Sequence, residues 1–123
     1  MYTFDTNAII YYLKNEAAAS LIVSGIFEKR VPVYVATITE LELFGYPHLT
    51  SQEAELIEAL LQSVSIIPLD SRLARTAGQI RSRFRLEVSD SIIAATALST
   101  GTTLVTRNIK DFKNVPNLSL LKI

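Results

Sequence analysis

Ser89-Asp90-Ser91-Ile92-Ile93-Ala94-Ala95-Thr96-Ala97-Leu98-Ser99-Thr100-Gly101-Thr102-Thr103-Leu104-Val105-Thr106 is the stretch that decides the fold. After Asp90 its first half carries no charge and few polar groups, which predicts a buried helix over Ser89–Ser99. Gly101 stops that helix. The β-branched run Thr102–Thr106 then reads as a buried strand. A buried helix leading directly into a buried strand is the unit of a parallel sheet covered on both faces.

The same alternation extends outward in both directions. Towards the N-terminus, Tyr2–Phe4 reads as a short strand and Thr6–Lys14 as the start of a helix. A second helix follows over Ala17–Lys29, with Leu21, Ile22, Ile26 and Phe27 as apolar positions. Val31–Ala36, begun at Pro32, is a buried strand. A short helix over Thr39–Phe44 ends near Gly45 and Pro47. Thr50 and Glu53 form a capping-box pattern that opens a helix running to about Gln62. Val64–Pro68 is the next strand, and Asp70 can cap a helix whose Leu73, Ala77, Ile80 and Phe84 share one face. Beyond the quoted stretch, Asn108–Phe112 reads as a single turn and Leu118–Leu120 as a last strand. The predicted fold is a single α/β domain over residues 1–123, a three-layer α/β/α sandwich with a central, mainly parallel sheet.

Composition narrows the chemistry. The chain is 49% hydrophobic and 20% charged, enough to bury a core. No apolar run reaches the roughly 18 residues that span a bilayer, and the start lacks a signal-peptide pattern, so a cytoplasmic location is expected. The absence of cysteine excludes disulfides, zinc–thiolate sites and thiol catalysis. The single histidine, His48, sits in the Pro47–Thr50 loop and reads as solvated, which leaves little scope for a histidine-based triad. Net charge is zero, but its distribution is uneven. Val31–Ser71 contains no Lys or Arg, whereas Arg72, Arg75, Arg81, Arg83 and Arg85 follow with no acid among them. Such blocks fit solvated helix faces, or a basic stripe following a phosphate backbone.

Four acids mark the candidate site. Asp5 directly follows the first strand, Glu42 falls in the first turn of the helix after the second, and Asp111 comes one turn after Thr102–Thr106. In a parallel sheet these three share the carboxyl-end rim, where ligands of such folds bind. Asp90 opens the buried helix. Each also has a capping explanation: Asp5 as an N-cap, Thr39 with Glu42 and Thr37 with Glu40 as capping boxes, Asp90 at a helix dipole, and Asn108 with Asp111 at a turn. Two observations favour chemistry. Thr6, Asn7, Ser89 and Asn108 already supply caps beside the acids, and no Lys or Arg in the predicted strands or buried helix offsets the desolvation of Asp90. Converging carboxylates repel one another unless a cation joins them. Oxygen ligands without His or Cys point to Mg²⁺ or Mn²⁺, ions suited to phosphodiester hydrolysis.

Four segments carry a resemblance. Phe4-Asp5-Thr6-Asn7, Ile38-Thr39-Glu40-Leu41-Glu42-Leu43, Asp90-Ser91-Ile92-Ile93-Ala94-Ala95-Thr96-Ala97 and Leu104-Val105-Thr106-Arg107-Asn108-Ile109-Lys110-Asp111-Phe112 occur in order across the chain. With them the sequence resembles the PIN-domain ribonucleases, and within these the VapC-like toxins of toxin–antitoxin pairs. The resemblance implies Mg²⁺- or Mn²⁺-dependent RNA cleavage, a homodimer, and a small antitoxin as partner. It assigns the acidic positions to Asp5, Glu42, Asp90 and the Asn108–Asp111 segment, with Asn7 and Thr106 lining the site. Residues two apart on a helix point about 200° apart, so only one of Glu40 and Glu42 can face an ion. Glu42 is chosen because it stands three after the threonine, as in the family's pattern. Many relatives carry an acid where this chain has Asn108, which leaves the last ligand open between Asn108 and Asp111. Arg107, Arg72 and Arg75 are the candidate RNA contacts, and Tyr11 and Tyr12 fit either base stacking or packing.

Two rival classes remain. A catalytically degraded scaffold of the same fold is favoured by Asn108. A phosphoryl-transfer domain is disfavoured, because a phosphatase of the haloacid-dehalogenase type needs a second aspartate where Asn7 stands.

Overall fold

The computed structural model describes residues 1–123. In chain order the elements are β1 (Tyr2–Phe4), α1 (Thr6–Leu13), α2 (Ala17–Glu28), β2 (Val33–Ala36), α3 (Thr37–Phe44) and α4 (Ser51–Leu61). They continue as β3 (Ser65–Ile67), α5 (Ser71–Phe84), α6 (Val88–Thr100), β4 (Thr103–Thr106), α7 (Ile109–Phe112) and β5 (Ser119–Lys122). All strand pairs are parallel and the order is β3-β2-β1-β4-β5. The α/β/α expectation is therefore met.

Period-two alternation builds the two faces. Val33 and Val35 of β2 join Phe4 and Val105 in one core with Ile9, Val23, Ile26, Leu43, Ile57 and Leu60. Ala36 and Leu104, of opposite parity to Val35 and Val105, face a second core with Leu73, Ile80, Ile92, Ile93 and Phe112. α6 crosses the middle of the sheet, and Ser91 to Ala97 are all buried. Gly101 ends it in the left-handed region at φ 64°, where a glycine has no Cβ to clash. No helix is long and apolar enough to cross a membrane.

Local signals hold at several termini. Thr50 and Glu53 form the capping box, and Asp70 accepts from the Leu73 amide at 2.8 Å. Others are corrected. The short helix begins at Thr37, so Glu42 lies in its second turn, and neither Thr37 nor Thr39 caps it. Thr37 instead accepts from the Leu69 amide at 3.1 Å, and Thr39 is fully buried. α6 starts at Val88 after Glu87, so Ser89 is inside the helix and is not its cap. Asn108 makes no side-chain cap for α7. β5 runs on to Lys122, an exposed cation in the last strand.

Sequence order reverses at the centre of the sheet. From β1 the chain moves outward through β2 and β3, then returns on the other side of β1 for β4 and β5. The carboxyl ends of β1 and β4 therefore flank a switch point, where loops diverge and leave a crevice.

Candidate functional site

A cleft of about 310 Å³ opens at this point, lined among others by Asp5, Asn7, Glu42, Glu87, Ser89 and Asp90. No lysine or arginine lines it. β1 delivers Asp5 to the cleft floor, where it is only 6% exposed. Its carboxylate caps α1 by accepting from the Ala8 amide at 2.7 Å. Capping and a place in the cleft are thus one position, because a strand-end residue that starts a helix lies at the rim by construction.

Glu42 reaches the cleft from α3, and Glu40 does not line it. The Thr6 hydroxyl donates to Glu42 Oε1 at 2.6 Å and stands 3.1 Å from the Thr39 hydroxyl. Thr6 and Thr39, both buried, were visible in the sequence as cap candidates only. Their part in orienting Glu42 depends on a contact between residues 36 apart in sequence.

Asp90 enters from the first turn of α6. Burial, above all, and then the charges of Asp111, Asp5, Glu42 and Glu87 push its carboxyl up to about 6. Burial also raises Asp5, with Glu42 adding to the rise; the Thr106 hydroxyl and the Ala8 amide offset part of it. Glu87 was not picked out in the sequence, since one acid before a helix carries no signal of its own.

Asp111 and Asn108 are exposed on the loop and short helix after β4. The Asn108 side-chain amide donates to Asp111 Oδ2, and the Asn108 backbone amide donates to the Thr106 hydroxyl at 2.9 Å. Asp111 does not line the cleft directly, but its charge is the largest electrostatic influence on Asp90. Phe112, 1% exposed, anchors this segment in the core.

Arg107 has an internal task. Its guanidinium pairs with Glu16, lies 4.1 Å from the centre of the Tyr11 ring, and donates through Nε to the Ile123 carbonyl at 3.1 Å. Tyr11 thus packs under a cation, and Tyr12 packs against Phe27. Arg72 and Arg75 lie away from the cleft on α5. His48 is exposed in its loop.

The donor set is all oxygen and all acidic, which fits a hard divalent cation. No three of the chain's acidic or histidine side chains stand together as a complete ligand set for one ion. Mg²⁺ does not require such a set, because it keeps several waters and is commonly held by one or two carboxylates. Asp5 and Asp90 are raised first by burial and then by neighbouring acids, and no cationic side chain lines the cleft to offset this.

Comparison with known proteins identifies the family. Residues 2–118 match the PIN domain family. Ribonuclease VapC2 of Rickettsia felis is 26% identical, over 98% of this chain and 96% of its own. The tRNA(fMet)-specific endonuclease VapC of Salmonella typhimurium is 25% identical, over 97% and 95%. A solved toxin–antitoxin complex from Klebsiella pneumoniae superposes with a TM-score of 0.81 at 26% identity, over 100% of both chains.

Proposed function

The chain belongs to the PIN-domain family and resembles its VapC toxins, and from that premise we propose that it is a divalent-metal-dependent endoribonuclease, the toxin of a toxin–antitoxin pair. The observation that carries the reading is the cleft at the switch point, which gathers Asp5, Glu42 and Asp90 and admits no cationic side chain. Asp5 and Asp90 would hold Mg²⁺ or Mn²⁺, with Glu42 joining through water in the arrangement seen here, or directly if its side chain moves in. Once bound, the ion supplies positive charge that acidifies water and stabilises the phosphate oxygens. At the edge of the cleft, Asp111, held by Asn108, would orient the attacking water by accepting a hydrogen bond from it, unless Asn108 takes that part. Asn7 belongs to the polar lining, whereas Thr106 does not reach the cleft surface: fully buried, it supports the site from behind by bonding Asp5 and accepting from the Asn108 backbone amide.

An apolar groove borders the cleft, lined by Ile10, Leu13, Leu43, Tyr46, Leu49 and Leu56. Ile10 and Tyr46 belong to both. An antitoxin segment seated in this groove would cover the cleft mouth, which supports inhibition by a small protein partner. A homodimer is part of the same proposal.

The test is incubation of purified, partner-free protein with cellular RNA and Mn²⁺ or Mg²⁺, beside EDTA and Asp5→Asn controls. Cleavage is expected with metal only and is lost in the variant. Absence of both cleavage and metal binding by calorimetry would favour the scaffold reading, to which the Asn108–Asp111 pairing lends support.

Thr6→Val tests how Glu42 is positioned. It removes the hydroxyl that donates to Glu42 while keeping the shape of the side chain. Loss of a partner that orients a ligand typically costs about 10–100-fold. A fall in cleavage of that size is expected, with folding unchanged by circular dichroism. Full activity would show that Glu42 needs no such support.

A further inference from the structure

We infer that the outer face of α5 is a docking track for the RNA backbone that leads to the acidic cleft, an inference that rests on the ribonuclease reading above. Arg72, Arg75, Arg81, Arg83 and Arg85 are all exposed. No acid occurs between Asp70 and Glu87, and the chain's one ion pair, Arg107 with Glu16, lies elsewhere. Five cations therefore stand unneutralised in a chain of zero formal net charge.

Helix stability accounts for Arg81 and Arg83, cations in the last turn where the dipole is negative, but not for the cations at the other end. Arg72 occupies the first turn, where the helix dipole is positive. Arg72 and Arg75, both inside the helix, are three apart, a spacing that brings like charges together on one face. An exposed glycine, Gly78, sits mid-helix, where alanine would be more favourable.

The face has a shape that a backbone can follow. Leu73, Ala77 and Ile80 point into the core. On the other side Arg75, Gly78, Gln79, Ser82 and Arg83 line a shallow groove of about 620 Å³ with no apolar side chain. Nothing stands within 4 Å of where a Cβ on Gly78 would be, so the groove floor is open. Arg72, Arg75, Gln79 and Arg83 follow one another at helical spacing, a stripe about 16 Å long at about 1.5 Å per residue. Guanidinium groups suit phosphate oxygens, and Gln79 and Ser82 offer hydrogen bonds between them.

Its position gives the track a purpose. α5 ends at Phe84, and Glu87, three residues on, already lines the cleft with Ser89 and Asp90. An acid-lined cleft repels a polyanion. Cations beginning just outside it supply the attraction that brings the strand to the rim.

The experiment measures binding of fluorescently labelled bulk tRNA by anisotropy in EDTA across a salt series. It compares the wild type, R72Q/R75Q/R83Q, and the equal-charge control K29Q/R30Q/K122Q, whose residues are exposed elsewhere. Each lost phosphate contact lowers the log–log salt slope by about 0.7 to 0.9. The α5 variant is expected to flatten the slope by about 2 and weaken binding at low salt at least tenfold, and the control to keep the wild-type slope. Equal slopes in the two variants would overturn the track. So would sedimentation showing that the α5 variant loses only self-association, the result if the acidic α4 of a second copy occupies the groove. Cleavage of the same tRNA by wild type plus Mn²⁺, with equal slopes, would refute the track alone. A wild type that binds no tRNA, cleaves no cellular RNA and binds no Mn²⁺ by calorimetry would bring down the ribonuclease reading together with the track.

Discussion

Asp90→Asn is expected to abolish RNA cleavage, by more than about 100-fold, while raising thermal stability above neutral pH. Losing a group that only supports a ligand costs about 10–100-fold, so losing a principal ligand should exceed that. The stability gain follows from the surroundings of Asp90. Its carboxyl is pushed up from 3.8 to about 6 by burial and by four neighbouring acids. Between those values the folded protein holds a proton that the unfolded chain releases, so folding stability falls as pH rises through that window. One unit corresponds to about 1.4 kcal/mol. Solvent at this half-open position screens the effect, to roughly 1 kcal/mol at pH 8. In a domain of this size that is about 3–6 °C of Tm.

Thermal unfolding in EDTA at pH 8 and pH 4 checks both parts. The variant should melt higher at pH 8, and the difference should vanish near pH 4, where the native acid is also protonated. Added Mn²⁺ should raise the melting temperature of the wild type and leave the variant unchanged, since only a state that binds the ion is stabilised by it. Full cleavage by Asp90→Asn would remove Asp90 from the mechanism. A lower melting temperature at pH 8 would mean that its charge is neutralised in the fold.

Phe112→Ala should have the largest effect on stability and should reach the site as well. Phe112 is 1% exposed and packs in the core that contains Ile93, Leu104 and Val115. Truncating a buried phenylalanine costs about 3–5 kcal/mol, through lost burial and the cavity left behind. Domains of this length have roughly 6–18 kcal/mol in total, so the variant remains folded at low temperature with a Tm about 10–20 °C lower. α7 is a single turn whose only buried residue is Phe112. Without that anchor Asp111, its immediate neighbour, loses the fixed position from which its charge acts on Asp90. Cleavage should therefore drop even well below the melting temperature, whereas Phe112→Leu should retain most of both. Full activity of a folded Phe112→Ala protein would show that the Asn108 contacts alone hold Asp111.

Much of this molecule is legible in its sequence, because many of the governing forces act over two to four residues. The alternation of Val33, Val35 and their neighbours, the uncharged run after Asp90, the box at Thr50 and Glu53, and the cap at Asp70 are local patterns. They determine the elements, and apolar strands between helices determine the parallel sandwich. Acids placed just after strands point to the rim before any coordinates are known.

Tertiary structure alone decided which side chains meet there and in what electrical state. Glu42 is turned into the cleft by Thr6, 36 residues earlier, and Thr37 and Thr39 are drawn from capping into contacts with other elements. Arg107, a free cation in the sequence, is consumed by Glu16, Tyr11 and the Ile123 carbonyl. The proton affinity of Asp90 is set by burial, by acids from three other segments and by Glu87 at the start of its own helix. Periodicity cannot encode such outcomes, because desolvation and charge coupling depend on distance through space, which strand order fixes and local pattern does not.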